Sequence, residues 1–174
     1  MASRQGESTD AQLILIGLGA NLPSRFGPPR ETLEAALQSL RDRNITITRR
    51  SRYWRSAPVP ISDQPWYLNG VVAVATRLAP GDLLMQLHHI EADFGRVRGV
   101  RDAPRLIDLD ILAYGRRRSA EAPILPHPRM ADRAFVLLPL AEIAPDWRHP
   151  ESGKGVAQLI ADLPPGQQIE PVQG

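Results

Sequence analysis

Residues 105–113 carry the pattern that most restricts how the chain can fold. Ile107, Leu109 and Ile111 are apolar, and an aspartate separates each from the next, which is the period of a half-buried β-strand. Side chains two apart on a strand share a face, so Asp108 and Asp110 point to the same side of a sheet. At about 6 Å and an effective dielectric of about 20, their charges repel by roughly 3 kcal/mol. Two kinds of counter-charge relieve this repulsion: a divalent cation such as magnesium, or nearby arginines on a solvated strand.

The composition is that of an ordinary soluble, globular chain. Its 174 residues suit one domain, which we expect over residues 12–163, with a disordered tail at 1–11 and a loop-like tail at 164–174. The chain has no cysteine, which excludes disulfides and is compatible with a cytoplasmic location. A net charge of +2 argues against bulk binding of nucleic acid, and no apolar run is long enough to span a membrane.

Hydrophobic periodicity and turn residues predict the fold class. The predicted strands cover residues 12–18, 45–54, 66–78 and 105–113, and the predicted helices cover 29–41 and 80–95. This order is that of an α+β, ferredoxin-like βαββαβ sandwich, with both helices on one face of the sheet. The other face is predicted to be free and to carry the two aspartates. Helical C-terminal additions follow at 131–144, interrupted by Pro139, and at 155–163.

Several segments are candidates for binding an anion. Gly17-Leu18-Gly19 after the first strand is interpreted as a tight turn, because the third glycine of a dinucleotide-binding motif is missing. Arginines follow the second helix and lead into the paired carboxylates, a combination that suits a polyphosphate with bound cations. The proline-rich loop at 56–65 is longer than a hairpin needs, which indicates a function.

The chain resembles the pyrophosphokinase family of folate biosynthesis, which transfers pyrophosphate from ATP to 6-hydroxymethyl-7,8-dihydropterin. The resemblance covers about residues 13–147 and rests on five motifs in order. They are Gly19-Ala20-Asn21-Leu22, Asp63-Gln64-Pro65-Trp66-Tyr67-Leu68-Asn69, Ile90-Glu91 with Gly95-Arg96-Val97-Arg98, Pro104-Arg105-Leu106-Ile107-Asp108-Leu109-Asp110, and Pro126-His127-Pro128-Arg129-Met130 with Arg133-Ala134-Phe135-Val136-Leu137.

The resemblance implies a role for each matching residue. Two Mg²⁺ ions would bind Asp108 and Asp110, which would be catalytic together with Arg96 and Arg105. The pterin would contact Ser56, Val59, Tyr67, Asn69 and Phe135, with Tyr67 and Phe135 stacking on its two faces. The co-substrate ATP would lie along Glu91, Arg98, Arg101, Ile111, His127 and Arg133. One departure concerns residues 99–103, where the family usually has a tryptophan and this chain has none, which affects the expected role of Arg101.

Two other functions are compatible with the same pattern. A two-metal nucleotidyltransferase also carries paired aspartates on a palm-like ferredoxin fold, but it releases pyrophosphate where the pyrophosphokinase releases AMP. An RNA-binding module shares the sheet topology, although paired carboxylates on its binding face would repel phosphates. The pyrophosphokinase is the function we prefer. We expect a monomer that binds ATP and the pterin, and that binds neither nucleic acid nor a membrane.

Overall fold

The computed structural model describes residues 9–95 and 106–173 and is built on one six-stranded antiparallel sheet. The strands are β1 (Ile14–Ala20), β2 (Thr46–Arg50), β3 (Trp54–Ser56), β4 (Tyr67–Ala75), β5 (Asp108–Tyr114) and β6 (Ile169–Pro171). The helices are α1 (Pro29–Asp42), α2 (Pro80–Asp93), α3 (Ala134–Ile143) and α4 (Val156–Ala161). The sheet order is β5-β1-β4-β3-β6, and β2 also pairs with β4. This arrangement confirms the ferredoxin-like fold.

Helices α1 and α2 cover one face of the sheet, as predicted. Each begins with a proline at its first position, where a missing N–H costs nothing. The apolar stripes of both helices are fully buried against β1, β4 and β5: Leu33, Ala36, Leu37, Leu40, Leu83, Leu87 and Ile90. Leu109 and Ile111 of β5 belong to the same core. The two aspartates of β5 therefore lie on the opposite face.

The opposite face is not free, which corrects the prediction. Helices α3 and α4 pack a second core onto it, around Leu15, Val71, Leu112 and the fully buried Trp147. Helix α3 also runs without a break through Pro139, although an interruption was expected there. Helix α3 packs over one half of this face only, so the half that carries Asp108 and Asp110 stays accessible.

The predicted strand at 45–54 is wrong in one respect, because it is divided into β2 and β3. At the break, the Ser51 N–H donates to the Val71 carbonyl oxygen (2.9 Å), and the Val71 N–H donates to Ser51 Oγ (3.0 Å). The serine hydroxyl thus replaces a backbone acceptor, and the ladder is interrupted before β3 resumes opposite Asn69. Both pieces pair with β4, so the overall order of elements is preserved.

Both tails contain more structure than the sequence predicts. Residues 9–12 form a 3₁₀ turn in which Asp10 is buried and accepts from Arg49 (2.9 Å) and from the Asp146 N–H (3.1 Å). At the other end, β6 pairs with β3, so the segment 164–174 is not only loop. Among the described residues, no helix has the length and apolarity needed to cross a lipid bilayer.

Candidate active site

A cavity of about 760 Å³ opens on the half of the sheet that α3 leaves accessible. Its floor is formed by β1, β4 and β5 where the three strands run side by side. Three segments form its walls: the loop at 56–61, the beginning of α3 at 132–136, and residues 164–168 near the C-terminus. The cavity is therefore built from parts of the chain that are far apart in sequence.

The cavity is deep over β1 because this strand has glycines, which carry no side chain, at the positions that face the cavity. Gly17 and Gly19 both line the cavity from within β1, so the predicted tight turn at 17–19 is wrong. A Cβ atom on Gly19 would lie 3.0 Å from Asn69 Oδ1, which is closer than side chains normally allow. Glycine at 19 therefore leaves room for the Asn69 amide in its observed position. Two glycines two apart in a buried strand are a signal that could have indicated this floor.

Asp108 and Asp110 lie together on the floor, as their spacing predicts. In the pairing of β5 with β1, Asp108 is opposite Gly19 and Asp110 is opposite Gly17, and both aspartates line the cavity. Leu109 between them is buried in the core on the other face. The glycines leave open space above the strand pairs, so both carboxylates face the same volume.

Three residues predicted to lie along the nucleotide, Glu91, Ile111 and His127, are not among the described residues that line the cavity. Glu91 on α2 is buried and accepts from the Leu109 N–H (3.3 Å), so it holds the outer edge of β5. The Ile111 side chain is buried in the core under α1 and α2.

Basic side chains face the carboxylates across the cavity. Arg129 and Arg133 line it, and burial together with the charge of Arg129 lowers the pKa of Arg133, while Asp110 and Asp108 act in the opposite sense. Burial lowers the pKa of His127; Asp110 opposes this shift, and Arg133 and Arg129 add to it. The backbone N–H of His127 donates to the Leu112 carbonyl oxygen (2.8 Å), so the histidine lies beside β5. Both signs of charge are thus arranged as a metal-bound polyphosphate requires.

A second region of the cavity is suited to a flat, polar ring. The buried Asn69 donates from Nδ2 to Ser56 Oγ (2.6 Å), which orients its amide. Tyr67 on β4 and Phe135 on α3 line the cavity, and the Arg133 guanidinium lies 5.3 Å from the centre of the Phe135 ring. Val59 lines the cavity from the loop and is 72% exposed. Aromatic faces beside a fixed amide suit a heterocycle with hydrogen-bonding edges.

Some predicted residues lie outside the described part of the chain, and some residues that line the cavity were not predicted. Arg96, Arg98, Arg101 and Arg105, together with the segment 99–103, lie outside the described residues. Sequence reasoning gave no role to several residues that line the cavity: Gly17, Gly19, Leu112, Arg129, Asp132, Gln167 and Gln168. Arg129 could have been found from its neighbour His127, whereas the residues near the C-terminus have no local pattern that indicates a site.

Comparison with known proteins gives consistent matches. A family model described as 7,8-dihydro-6-hydroxymethylpterin-pyrophosphokinase matches residues 15–145. A 2-amino-4-hydroxy-6-hydroxymethyldihydropteridine pyrophosphokinase from Synechocystis sp. is 43% identical over 151 residues, covering 86% of this chain and 75% of the relative. The protein of the same name from Pseudomonas aeruginosa is 43% identical over 156 residues, covering 88% of this chain and 93% of the relative.

The fold is similar to that of a solved structure. A crystal structure of Plasmodium falciparum HPPK-DHPS superimposes with a TM-score of 0.66 at 13% identity, covering 86% of this chain. The match covers 44% of that larger chain, so the present chain spans less than half of its length. At this identity the likeness concerns the fold.

Proposed function

The chain belongs to the 7,8-dihydro-6-hydroxymethylpterin-pyrophosphokinase family, and from this membership we propose that it transfers pyrophosphate from ATP to 6-hydroxymethyl-7,8-dihydropterin. The products are AMP and the pterin pyrophosphate, an intermediate of folate synthesis. One structural observation carries the proposal: a single cavity joins a region for a flat ring, around Asn69 and Phe135, to a region with paired carboxylates and arginines. Both substrates can therefore bind side by side in this cavity, with the pterin hydroxyl next to the ATP phosphates.

The residues present fit magnesium. Among the described residues, no group of three or more histidine, cysteine, aspartate or glutamate side chains surrounds one point. Magnesium does not need such a cage, because it commonly binds one or two carboxylates and takes its other ligands from substrate phosphates and water. Asp108 and Asp110 would hold two Mg²⁺ ions, and the bound ions would neutralise the triphosphate and acidify the pterin hydroxyl.

The reaction asks for positioning more than for covalent chemistry by the protein. The hydroxyl oxygen of the pterin attacks the β-phosphorus of ATP, the bond from that phosphorus to the α-phosphate oxygen breaks, and AMP departs. An aspartate carboxylate on the floor accepts the hydroxyl proton and passes it to water. Asn69 orients the ring, and Arg129 and Arg133 stabilise the phosphate charge. His127 Nδ1 accepts from the Arg129 N–H (3.1 Å), so its Nε2–H is left to donate a hydrogen bond to the nucleotide.

The decisive experiment is a product assay. The purified protein is incubated with ATP and magnesium, with and without 6-hydroxymethyl-7,8-dihydropterin, and the nucleotide products are separated by chromatography. We expect release of AMP that requires the pterin and stops when EDTA removes the metal. Release of inorganic pyrophosphate in place of AMP would contradict the proposal and favour a nucleotidyltransferase.

We also expect the protein to act as a monomer in the cytoplasm, without nucleic acid as a partner. The support for a monomer is that one chain supplies every wall of the cavity that the structure describes. Sedimentation of the pure protein, with and without substrates, tests the oligomeric state. A dimer that gains activity on association would contradict the expectation.

A further inference from the structure

The Gln167 side chain is fixed by hydrogen bonds at the wall of the cavity. Its Oε1 accepts from the Ala134 N–H at 2.9 Å, and its Nε2 donates to the Asp132 carbonyl at 2.9 Å and to the Pro164 carbonyl at 3.3 Å. The two amide hydrogens and the amide oxygen are thus all used within the protein. Gln167 therefore lines the cavity as a support and is not a free group that waits for a ligand.

Helix α3 depends on this glutamine because it has no cap of its own. The residue at its N-cap position is Arg133, which makes no side-chain capping hydrogen bond. The first N–H groups of a helix have no partner within the helix, and a side-chain acceptor normally supplies one. Here the acceptor comes from 33 residues further along the chain. The backbone N–H of Ala134 can only donate, so it also fixes which end of the Gln167 amide faces the helix.

The beginning of α3 is the part of the helix that enters the site. Arg133 and Phe135 flank Ala134, and both line the cavity. The segment that carries Gln167 is itself held to the sheet, because the Ala57 N–H donates to the Gln168 carbonyl (3.0 Å) and β6 pairs with β3. Gln167 therefore ties the α3 wall of the cavity to the sheet that forms its floor.

We propose that Gln167 is a positioning residue for the reaction, because its amide holds Arg133 and Phe135 at the cavity. This inference rests on the proposed function. Removal of the amide releases the start of α3, so the aromatic ring and the guanidinium spend less time where the substrates need them. The effect is expected on substrate binding first, since the floor with the two aspartates stays intact.

The test compares Gln167→Ala, Gln167→Glu and the unchanged full-length protein. Hydrogen exchange of the amides at 134–137 reports directly on the start of α3 and needs no substrate. We expect exchange at 134 to become about tenfold faster in Gln167→Ala, because its acceptor is lost. In the same variant we expect KM for the pterin and KM for ATP each to rise about tenfold, because Phe135 lies in the region for the ring and Arg133 in the region for the phosphates, while kcat falls less. Gln167→Glu keeps an acceptor for the Ala134 N–H but loses the two hydrogen bonds that Nε2 donates to carbonyl oxygens, so it should recover only part of both losses.

Gln38→Ala is the matched control, because Gln38 makes one side-chain hydrogen bond (2.9 Å to Asp42) on the exposed side of α1, away from the cavity. A Gln167→Ala protein that melts at a lower temperature but keeps the unchanged KM and the unchanged exchange at 134–137 would overturn the proposal. A higher KM without faster exchange would also overturn it. If the unchanged protein released no AMP, the proposed function would fail, whereas the exchange measurement would still decide whether Gln167 orders α3.

Discussion

At the scale of single residues, the chemistry of the cavity depends on neighbours that have no reactive group. Gly19 leaves the space that Asn69 occupies, and Ser56 fixes the direction of the Asn69 amide. Glu91 has a carboxyl group, yet it is buried and accepts a hydrogen bond from the backbone N–H of Leu109, which lies between the two aspartates. Substitutions of such supporting residues should therefore change substrate binding even though they remove no group that touches a substrate.

Asp110→Ala tests the paired carboxylates. We expect turnover to fall by on the order of 10², because a charged group that organises the phosphates is lost. The free energy of unfolding should change little, since the relief of repulsion between the two carboxylates offsets the lost attraction to Arg133. Steady-state AMP release and urea denaturation measure the two effects. Asp82→Ala, an exposed aspartate on α2, is the control and should keep full turnover. Near-normal turnover in Asp110→Ala would remove the assignment of this residue as a metal ligand.

Gly19→Ala tests the floor. The new methyl group would lie 3.0 Å from Asn69 Oδ1, so the amide has to shift, and the shift disturbs its hydrogen bond to Ser56. We expect KM for the pterin to rise roughly tenfold with a smaller change in KM for ATP. Gly81→Ala is the control, because a Cβ atom there meets no atom within 4 Å. Equal KM values for the pterin in both variants would contradict the role given to Gly19.

At the scale of elements, the sequence predicted the helices and strands whose hydrophobic pattern is set within the element itself. The stripes of α1 and α2 and the alternation in β5 are visible in the sequence because each element buries one face. The break after β2 was missed because Ser51 Oγ substitutes for a backbone acceptor, which depends on Val71 in another strand. Strand β6 has three residues and exists only because β3 is there to pair with it. Gln167 was missed for the same reason, since its partners lie on α3.

A chain that ends at Gln168 tests the contribution of β6 while it keeps Gln167. The truncation removes the pairing with β3 and the hydrogen bond from the Val172 N–H to the Tyr53 carbonyl (2.9 Å). We expect the free energy of unfolding to fall by about 2 kcal/mol, from a few backbone hydrogen bonds at about 1 kcal/mol each. Urea denaturation measures the loss, and a chain that ends at Gln173 is the control. Identical midpoints for the two chains would show that β6 adds no stability.

At the scale of the whole molecule, one sheet serves two cores and one cavity. Strands β1 and β4 contribute side chains to the core under α1 and α2 and to the core under α3 and α4. The cavity lies where the second core ends, so its floor is supported from behind by fully buried residues such as Ile16. We expect the floor to stay rigid during catalysis and the walls to move when substrates bind and products leave.

The stability of the molecule should depend on pH through two histidines. Burial lowers the pKa of His127 and of His149 below the ordinary value of 6.5. The unfolded chain therefore takes up protons first as the pH falls, and stability is lost as the pH falls below about 6.5. Urea denaturation at about pH 7.5 and about pH 5.5 measures this loss. The double variant His127→Gln and His149→Gln should reduce it, whereas His89→Gln, at an exposed position on α2, should not. An undiminished loss in the double variant would assign the pH dependence to other groups.

The wall at 164–168 has a consequence for how the protein is made. A nascent chain leaves the ribosome from its N-terminus, so β1, β4 and β5 can pair before this wall has emerged. Until then the cavity lacks one side and the start of α3 lacks its cap. We therefore expect substrates to stabilise the folded state less before residue 168 is released than after it.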